Sequence, residues 1–237
     1  MLLLKKKITI IIPTYNEAEL IGQLVLFLKN YGGEWLNEII VCDGGSIDET
    51  TGIAGVAGAV AHVSPKNGRA VQMNYGASLA NGDILYFVHA DTFPPESFAA
   101  DIIQAVEKGF DCGRYRTEFN SKKWLLKINA WFTRFDWFIC YGGDQTFFIT
   151  KKLFDELQGY NSDMLIMEEY DLTERAKKKG RYKIFRNTAL ISARKYDGRS
   201  WWQVLMANKM AVSMYKEGAS QEAIAIQYKK MLGNQIS

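Results

Sequence analysis

A chain of 237 residues, 48% of them hydrophobic and 23% charged, is long enough to bury one sizeable core and has the composition of an ordinary globular domain. Its net charge of +3 leaves no basic footprint for nucleic acid, and no apolar run reaches the roughly 18 residues of a bilayer span. Three scattered cysteines (Cys42, Cys112, Cys140), without a C-x-x-C pair, argue against a disulfide framework or a zinc knuckle. The opening Met-Leu-Leu-Leu-Lys-Lys-Lys puts its charges after a short apolar stretch, the reverse of a secretory leader, so a cytoplasmic protein is expected.

In chain order, residues 8–12 read as a buried strand. Residues 17–30 read as an amphipathic helix with Leu20, Leu24, Phe27 and Leu28 on one stripe. A second strand is expected at 38–42, a second helix at about 48–57 and a short third strand at 60–63. A third helix at 68–80 would face Val71, Tyr75 and Leu79 inward. Gly82-Asp83 marks a turn before a fourth strand at 84–88, and Pro94-Pro95 opens a fourth helix near 95–108. Alternating strand and helix over about a hundred residues predicts a parallel sheet with right-handed crossovers. Beyond this the pattern loosens. It gives a strand at 111–119, an aromatic helix at 122–139, a loop at Gly142-Gly143-Asp144-Gln145 and a strand at 146–149. A polar helix at 168–179, a strand at 182–187 and a helical tail from 200 to 232 follow. The simplest division is one domain, with a nucleotide-binding half at about 1–92, an acceptor-binding half at about 93–198 and a helical tail at about 199–237.

The chemistry-bearing residues cluster just past the strands, where ligands bind in open α/β sheets. After the first strand, Pro13-Thr14-Tyr15-Asn16-Glu17 replaces the Gly-rich turn of dinucleotide folds. Thr14 or Asn16 can cap the next helix, and Tyr15 offers a flat face for a base. Asp43, after the second strand, can accept from a ribose or from the N–H of a uracil or guanine edge, or can cap the helix beyond Ser46. Asp91 lies past the fourth strand, where a carboxylate can hold Mg²⁺ or Mn²⁺ against a diphosphate. His89, two residues earlier on the same face, is either a second ligand better suited to Mn²⁺ or a histidine bonded to backbone. Glu168, Glu169 and Asp171 put three carboxylates into four residues at a helix start. They suit the helix dipole there, and also a general base for a hydroxyl. Arg69 and Arg194 are candidate phosphate partners.

Taken together, the ordered motifs resemble the family 2 inverting glycosyltransferases of the GT-A fold. The resemblance runs from Ile8 to about Tyr196. It is carried by Pro-Thr-Tyr-Asn-Glu, by Asp43-Gly-Gly-Ser with Asp48 and Thr50, and by Asn67-Gly68-Arg69. Gly82-Asp83 before Asp91, Gly143-Asp144-Gln145 and Glu168-Glu169-x-Asp171-Leu172 complete it. Gly-Arg-x-x-Gln-Met-Asn at 68–74 and His-Ala-Asp-Thr at 89–92 resemble a narrower bacterial subgroup. The resemblance implies a nucleotide-sugar donor, UDP-sugar first, lying across Pro13, Thr14, Tyr15, Glu17, Asp43 and Arg69. It implies Asp91 on an Mn²⁺ or Mg²⁺ ion and Glu169 as base, with Glu168, Asp171, Asp144 and Gln145 in support. It also implies transfer with inversion to an acceptor hydroxyl, lipid-linked or small. Two departures stand out: His89 replaces the first Asp of the usual Asp-x-Asp, and Glu169 replaces the usual catalytic Asp. They motivate an alternative, a catalytically impaired nucleotide-binding relative acting as a scaffold. An NAD-dependent dehydrogenase fits the topology alone but lacks its Gly-rich turn, and a nucleotidyltransferase would need a phosphate loop that is absent. The absence of Gln-x-x-Arg-Trp implies a non-processive enzyme. The aromatic segments 124–140 and 201–215 read as core plus subunit interface, or as an acceptor groove or a face for the inner membrane surface.

Overall fold

The computed structural model describes residues 5–141 and 145–233. Strand β1 (Ile8–Thr14) is buried along its whole length and pairs in parallel with β2 (Leu36–Asp43) and β4 (Ile84–Phe87). β3 (Val60–Val63) extends the sheet beyond β2. Near-continuous apolar runs such as Ile8 to Ile12 suit strands covered on both faces. One apolar cluster on one face holds Ile10, Ile12, Leu24, Val41 and Tyr86, and another on the opposite face holds Ile11, Ile40, Met73, Leu85 and Phe147.

The helices of this half follow the expected order with shifted faces. α1 (Ile21–Gly32) starts four residues late and buries Ile21, Leu24, Val25 and Leu28. Neither Thr14 nor Asn16 caps it. Thr14 ends a buried strand, and Asn16 sits at φ 54° with its side-chain oxygen accepting from the Ile47 amide. α2 spans Thr50–Ala57. α3 (Arg69–Leu79) buries Ala70, Gln72, Met73, Gly76 and Ala77 in place of the expected Val71, Tyr75 and Leu79. The small face wins because α3 lies close on the sheet: a Cβ on Gly76 would meet Ile11 at 2.6 Å and Cys42 at 2.8 Å.

The second half departs further. β7 (Phe147–Thr150) inserts antiparallel between β4 and β6 (Cys112–Phe119), and β8 (Tyr182–Ile191) runs parallel beyond β6. A two-residue strand, β5 (Thr92–Phe93), pairs antiparallel with the end of β8 and completes the order β3-β2-β1-β4-β7-β6-β8-β5. This is the mostly parallel GT-A-type sheet expected, with β7 and β5 reversed. α4 (Phe98–Glu107) packs on one face. The expected 122–139 helix is cut to α5 (Trp124–Phe132) and a short 3₁₀ turn at Phe138–Cys140. α6 (Lys151–Glu156), capped by Thr150, was not anticipated. α7 (Glu168–Lys179) matches its expected bounds. The tail divides into α8 (Trp201–Lys216) and α9 (Gln221–Met231), with Ser200 and Ser220 as caps. All three cysteines are free and buried.

Gly113 lies where β6 meets β8, and a Cβ there would collide with the Lys183 carbonyl oxygen and approach Phe148 at 2.8 Å. Gly113→Ala is therefore expected to destabilise the fold by about 1–3 kcal/mol, the usual range for overpacking. Denaturant melts of both proteins check this.

Candidate active site

The carboxyl ends of β1, β2 and β4 lie side by side, with Thr14 opposite Asp43 and the Val88 amide donating to Ile11. Pro13 and Thr14 are buried in β1, whereas Tyr15 is 58% exposed beside them. Asp43 is 1% exposed. Its Oδ2 accepts from the Gly45 amide at 2.9 Å and the Ser46 amide at 2.7 Å, and its Oδ1 from the Thr14 and Ser46 hydroxyls. A carboxylate offers about four lone-pair positions. The 44–46 turn and Thr14 therefore fill them, and Asp43 shapes the loop that a base would meet. Gln72, unremarked in the sequence except as part of a motif, donates to the carbonyls of Thr14 and Cys42 at 2.8 Å each. Buried on α3, it locks the two strand ends together.

The first turn of α7 brings the acidic cluster to the same rim. Met167, which precedes it, takes φ 66°, a costly left-handed geometry for a non-glycine residue. Glu168 and Glu169 follow, 2% and 8% exposed. Glu168 Oε1 lies 3.5 Å from Arg69 Nε, and Glu169 Oε1 lies 3.6 Å from Arg69 Nη1 and 3.1 Å from His89 Nε2. Neither Glu169 oxygen has a well-aligned hydrogen bond, although both are buried. Burial, then the neighbouring Glu169 charge, pushes the Glu168 carboxyl up to about 7 against the opposing pull of Arg69. Asn74 exchanges hydrogen bonds with the Tyr160 backbone at 2.8 and 2.9 Å and so ties α3 to the loop that leads into α7.

Several expected placements change. His89 turns its Nε2 to Glu169 at 3.1 Å, so the structure joins it to the expected base. Asp171 pairs with Arg175 one turn along, at 2.8 and 2.6 Å, and Arg175 bonds the carbonyls of Leu157 and Gly159. Asp171 therefore braces a loop away from the acidic cluster. Arg194, expected on a phosphate, holds Glu17 with both terminal nitrogens and reaches Asp91 Oδ2 at 3.1 Å. Gln145 donates to the Cys140 carbonyl at 2.7 Å, leaving a buried, unpartnered Oε1. Asp144 lies outside the described residues.

Beyond the two glutamates opens a cavity of about 730 Å³. Arg69, Glu168, Glu169, Asn129, Lys195 and Asn208 are among its polar lining, while Phe132, Trp137, Ile166 and Val212 contribute to an extensive apolar wall. Among the described residues no three His, Cys, Asp or Glu side chains converge as a metal cluster. A divalent ion held by one or two carboxylates together with substrate phosphates needs no such cluster.

Residues 9–162 match the profile of glycosyl transferase family 2, and the chain belongs to that family. The matched span holds Asp43, Arg69, His89 and Asp91 but stops short of Glu168 and Arg194. Over 99 residues the chain is 31% identical to the glucosyl-3-phosphoglycerate synthase of Mycolicibacterium smegmatis. That alignment covers 38% of this chain and only 33% of the relative. The fold is shared with a mannosyltransferase of Pyrobaculum calidifontis solved with GDP-Man and Mn²⁺ (TM-score 0.65, 18% identity, 97% of this chain and 69% of that one). It is shared as well with glucosyl-3-phosphoglycerate synthase of Mycobacterium tuberculosis solved with Mn²⁺, UDP and glucosyl-3-phosphoglycerate. There the TM-score is 0.63 at 13% identity, over 98% of this chain and 82% of that one.

The raised Glu168 carboxyl makes folding pH-dependent. The folded state binds this proton more tightly than the unfolded chain does, so the contribution falls as pH rises from about 4.5 through about 7. Glu168→Gln, which cannot ionise, should melt at a higher temperature than wild type at about pH 8, with the gain lost at about pH 5. Thermal melts at the two pH values check the sign.

Proposed function

We propose that the chain transfers a sugar from a nucleotide-diphosphate sugar, a UDP-sugar by preference, to an acceptor hydroxyl with inversion and without processivity. The observation that carries this reading is Glu169. Its two buried oxygens lack aligned donors, and it lines a cavity next to the strand ends where a nucleotide belongs. A carboxylate so placed can take the proton of an acceptor hydroxyl as that oxygen bonds to the anomeric carbon. A single displacement of this kind inverts the centre. The nucleotide half, residues 1–92, would receive the base against Tyr15 and the loop held by Asp43, with Arg69 closing the other side. The complexes of related folds with UDP or GDP-Man support such a donor.

A divalent ion, Mn²⁺ or Mg²⁺, fits Asp91. That carboxylate already accepts a cationic group from Arg194, and its side chain is only 19% exposed. When bound, such an ion neutralises the leaving diphosphate. Arg194 is the competing cation: a bound ion would take its place on Asp91, while its fork on Glu17 would still hold it at the same rim. His89 and Arg69 orient Glu169 toward the cavity, and Glu168 sits beside it as the alternative proton acceptor.

A thermal-shift panel of UDP, GDP, ADP and NADH, with and without Mn²⁺, tests the donor. UDP at about a hundred times its dissociation constant should add about 2.7 kcal/mol of stability and exceed ADP and NADH. A larger response to NADH would favour a dehydrogenase. Asp91→Ala should abolish the extra stabilisation that Mn²⁺ gives to UDP, and an unchanged metal response would remove Asp91 from the site. Mn²⁺-dependent hydrolysis of a UDP-sugar by the wild type would exclude the inactive-scaffold alternative.

A further inference from the structure

The helix α5 is built against the usual rule for a surface helix. Apart from Lys127 and Asn129 its nine residues are apolar, yet Leu126 alone among them is buried. Trp124 is 66% exposed and Trp131 47%. The apolar surface continues through Phe132 and Trp137, which also line the cavity. A second cavity of about 330 Å³, lined by Trp124, Leu125, Tyr196 and Trp201, joins the start of α5 to the start of α8. Exposed apolar patches of this extent mark contact surfaces.

The charge around α5 says what it contacts. Between Glu118 and Asp136 the chain carries Lys122, Lys123, Lys127 and Arg134 and no carboxylate, and all four cations are exposed. Arg134 lies over the Trp131 ring at 4.6 Å. Tryptophans flanked by lysine and arginine are the composition of a segment lying in the headgroup region of an anionic bilayer. A second copy of the chain would bring the same four cations together, with nothing on α5 to neutralise them. The large cavity runs from this surface to Glu169, and most of its lining is apolar, which gives room for the apolar body of an acceptor beside the polar groups.

We propose that the α5 face docks on an anionic lipid surface and that the acceptor hydroxyl belongs to a lipid drawn from it. The lipid's apolar body lies in the cavity between α5 and α8. The acceptor part rests on the glycosyl-transfer reading of Glu169, whereas the docking part does not. No helix among the described residues is long and apolar enough to cross a membrane, so the contact is peripheral.

Cosedimentation with vesicles of phosphatidylcholine alone, or of phosphatidylcholine mixed with phosphatidylglycerol, tests the surface. Wild type should bind the anionic vesicles at least about tenfold more tightly than the neutral ones. Trp131→Glu, at an exposed position, should lose about tenfold on the anionic vesicles while melting cooperatively. Brominated acyl chains in the same vesicles should quench tryptophan fluorescence, since Trp137 and Trp201 line the cavity. Absent or charge-independent sedimentation, or a Trp131→Glu variant that binds as wild type does, overturns the proposal. So does a wild-type dimer that Trp131→Glu dissociates without any vesicle binding, since a second copy would then cover the patch. UDP stabilisation of the wild type separates the two readings. With UDP binding but no vesicle binding, this inference fails and glycosyl transfer stands. With vesicle binding but no UDP response, the docking stands and the donor assignment fails.

Discussion

Two buried carboxylates in successive positions cannot exist without nearby cations. Glu168 and Glu169 stand at the start of α7 with almost no access to water. Placing such charges in a low-dielectric site costs several kcal/mol unless partners are fixed in place. Arg69, at the start of α3, is the cation beside both, and His89, past β4, brings its Nε2 to 3.1 Å from Glu169. Arg69 and His89 lie before residue 92 and the glutamates well beyond it, so these contacts tie the start of α7 to the strand ends. The helix dipole at the first turn of α7 helps, but it acts along the helix and cannot choose which strand end α7 faces. The unusual backbone of Met167 and the Asn74 clamp on Tyr160 belong to the same constraint. Both shape the loop that delivers the glutamates to the rim.

How much of this was readable depended on the range of the interaction. The strands ending at Thr14, Asp43 and Phe87 were legible because both-face burial writes uninterrupted apolar runs. α7 was legible because its charges segregate, acidic at the start and basic at the end. β5 has two residues and no pattern to read. α6 has only six, and its Thr150 cap looks like the end of a strand. The inward face of α3 was misjudged because residue size stood in for packing. Where α3 lies closest on the sheet it buries Gly76 and its alanines, with Gln72 and Met73 beside them, and Val71, Tyr75 and Leu79 fall outside that face.

The same distinction holds for the site. That Arg69 and Glu169 would meet could be anticipated from ordered motifs at strand ends. Their partners could not. The Arg194 fork on Glu17 joins residues 177 positions apart, and no local signal connects them. The turn of His89 toward Glu169 is a rotamer that an extended segment leaves open. Asp171 is the opposite case: its partner Arg175 lies one turn along the helix, a spacing visible in the sequence.

The central claim is that Glu169, held by Arg69 and His89 at the mouth of an apolar cavity, accepts the proton of the acceptor hydroxyl. The most direct measurement compares sugar-transfer rates of wild type, Glu169→Gln and Glu168→Gln, with UDP and Mn²⁺ binding measured on each protein. The account predicts that Glu169→Gln binds UDP with its metal response intact but transfers sugar about 10²–10⁴-fold more slowly. A slow Glu168→Gln beside a fast Glu169→Gln would move the base by one residue. Wild-type turnover in both variants would contradict the mechanism.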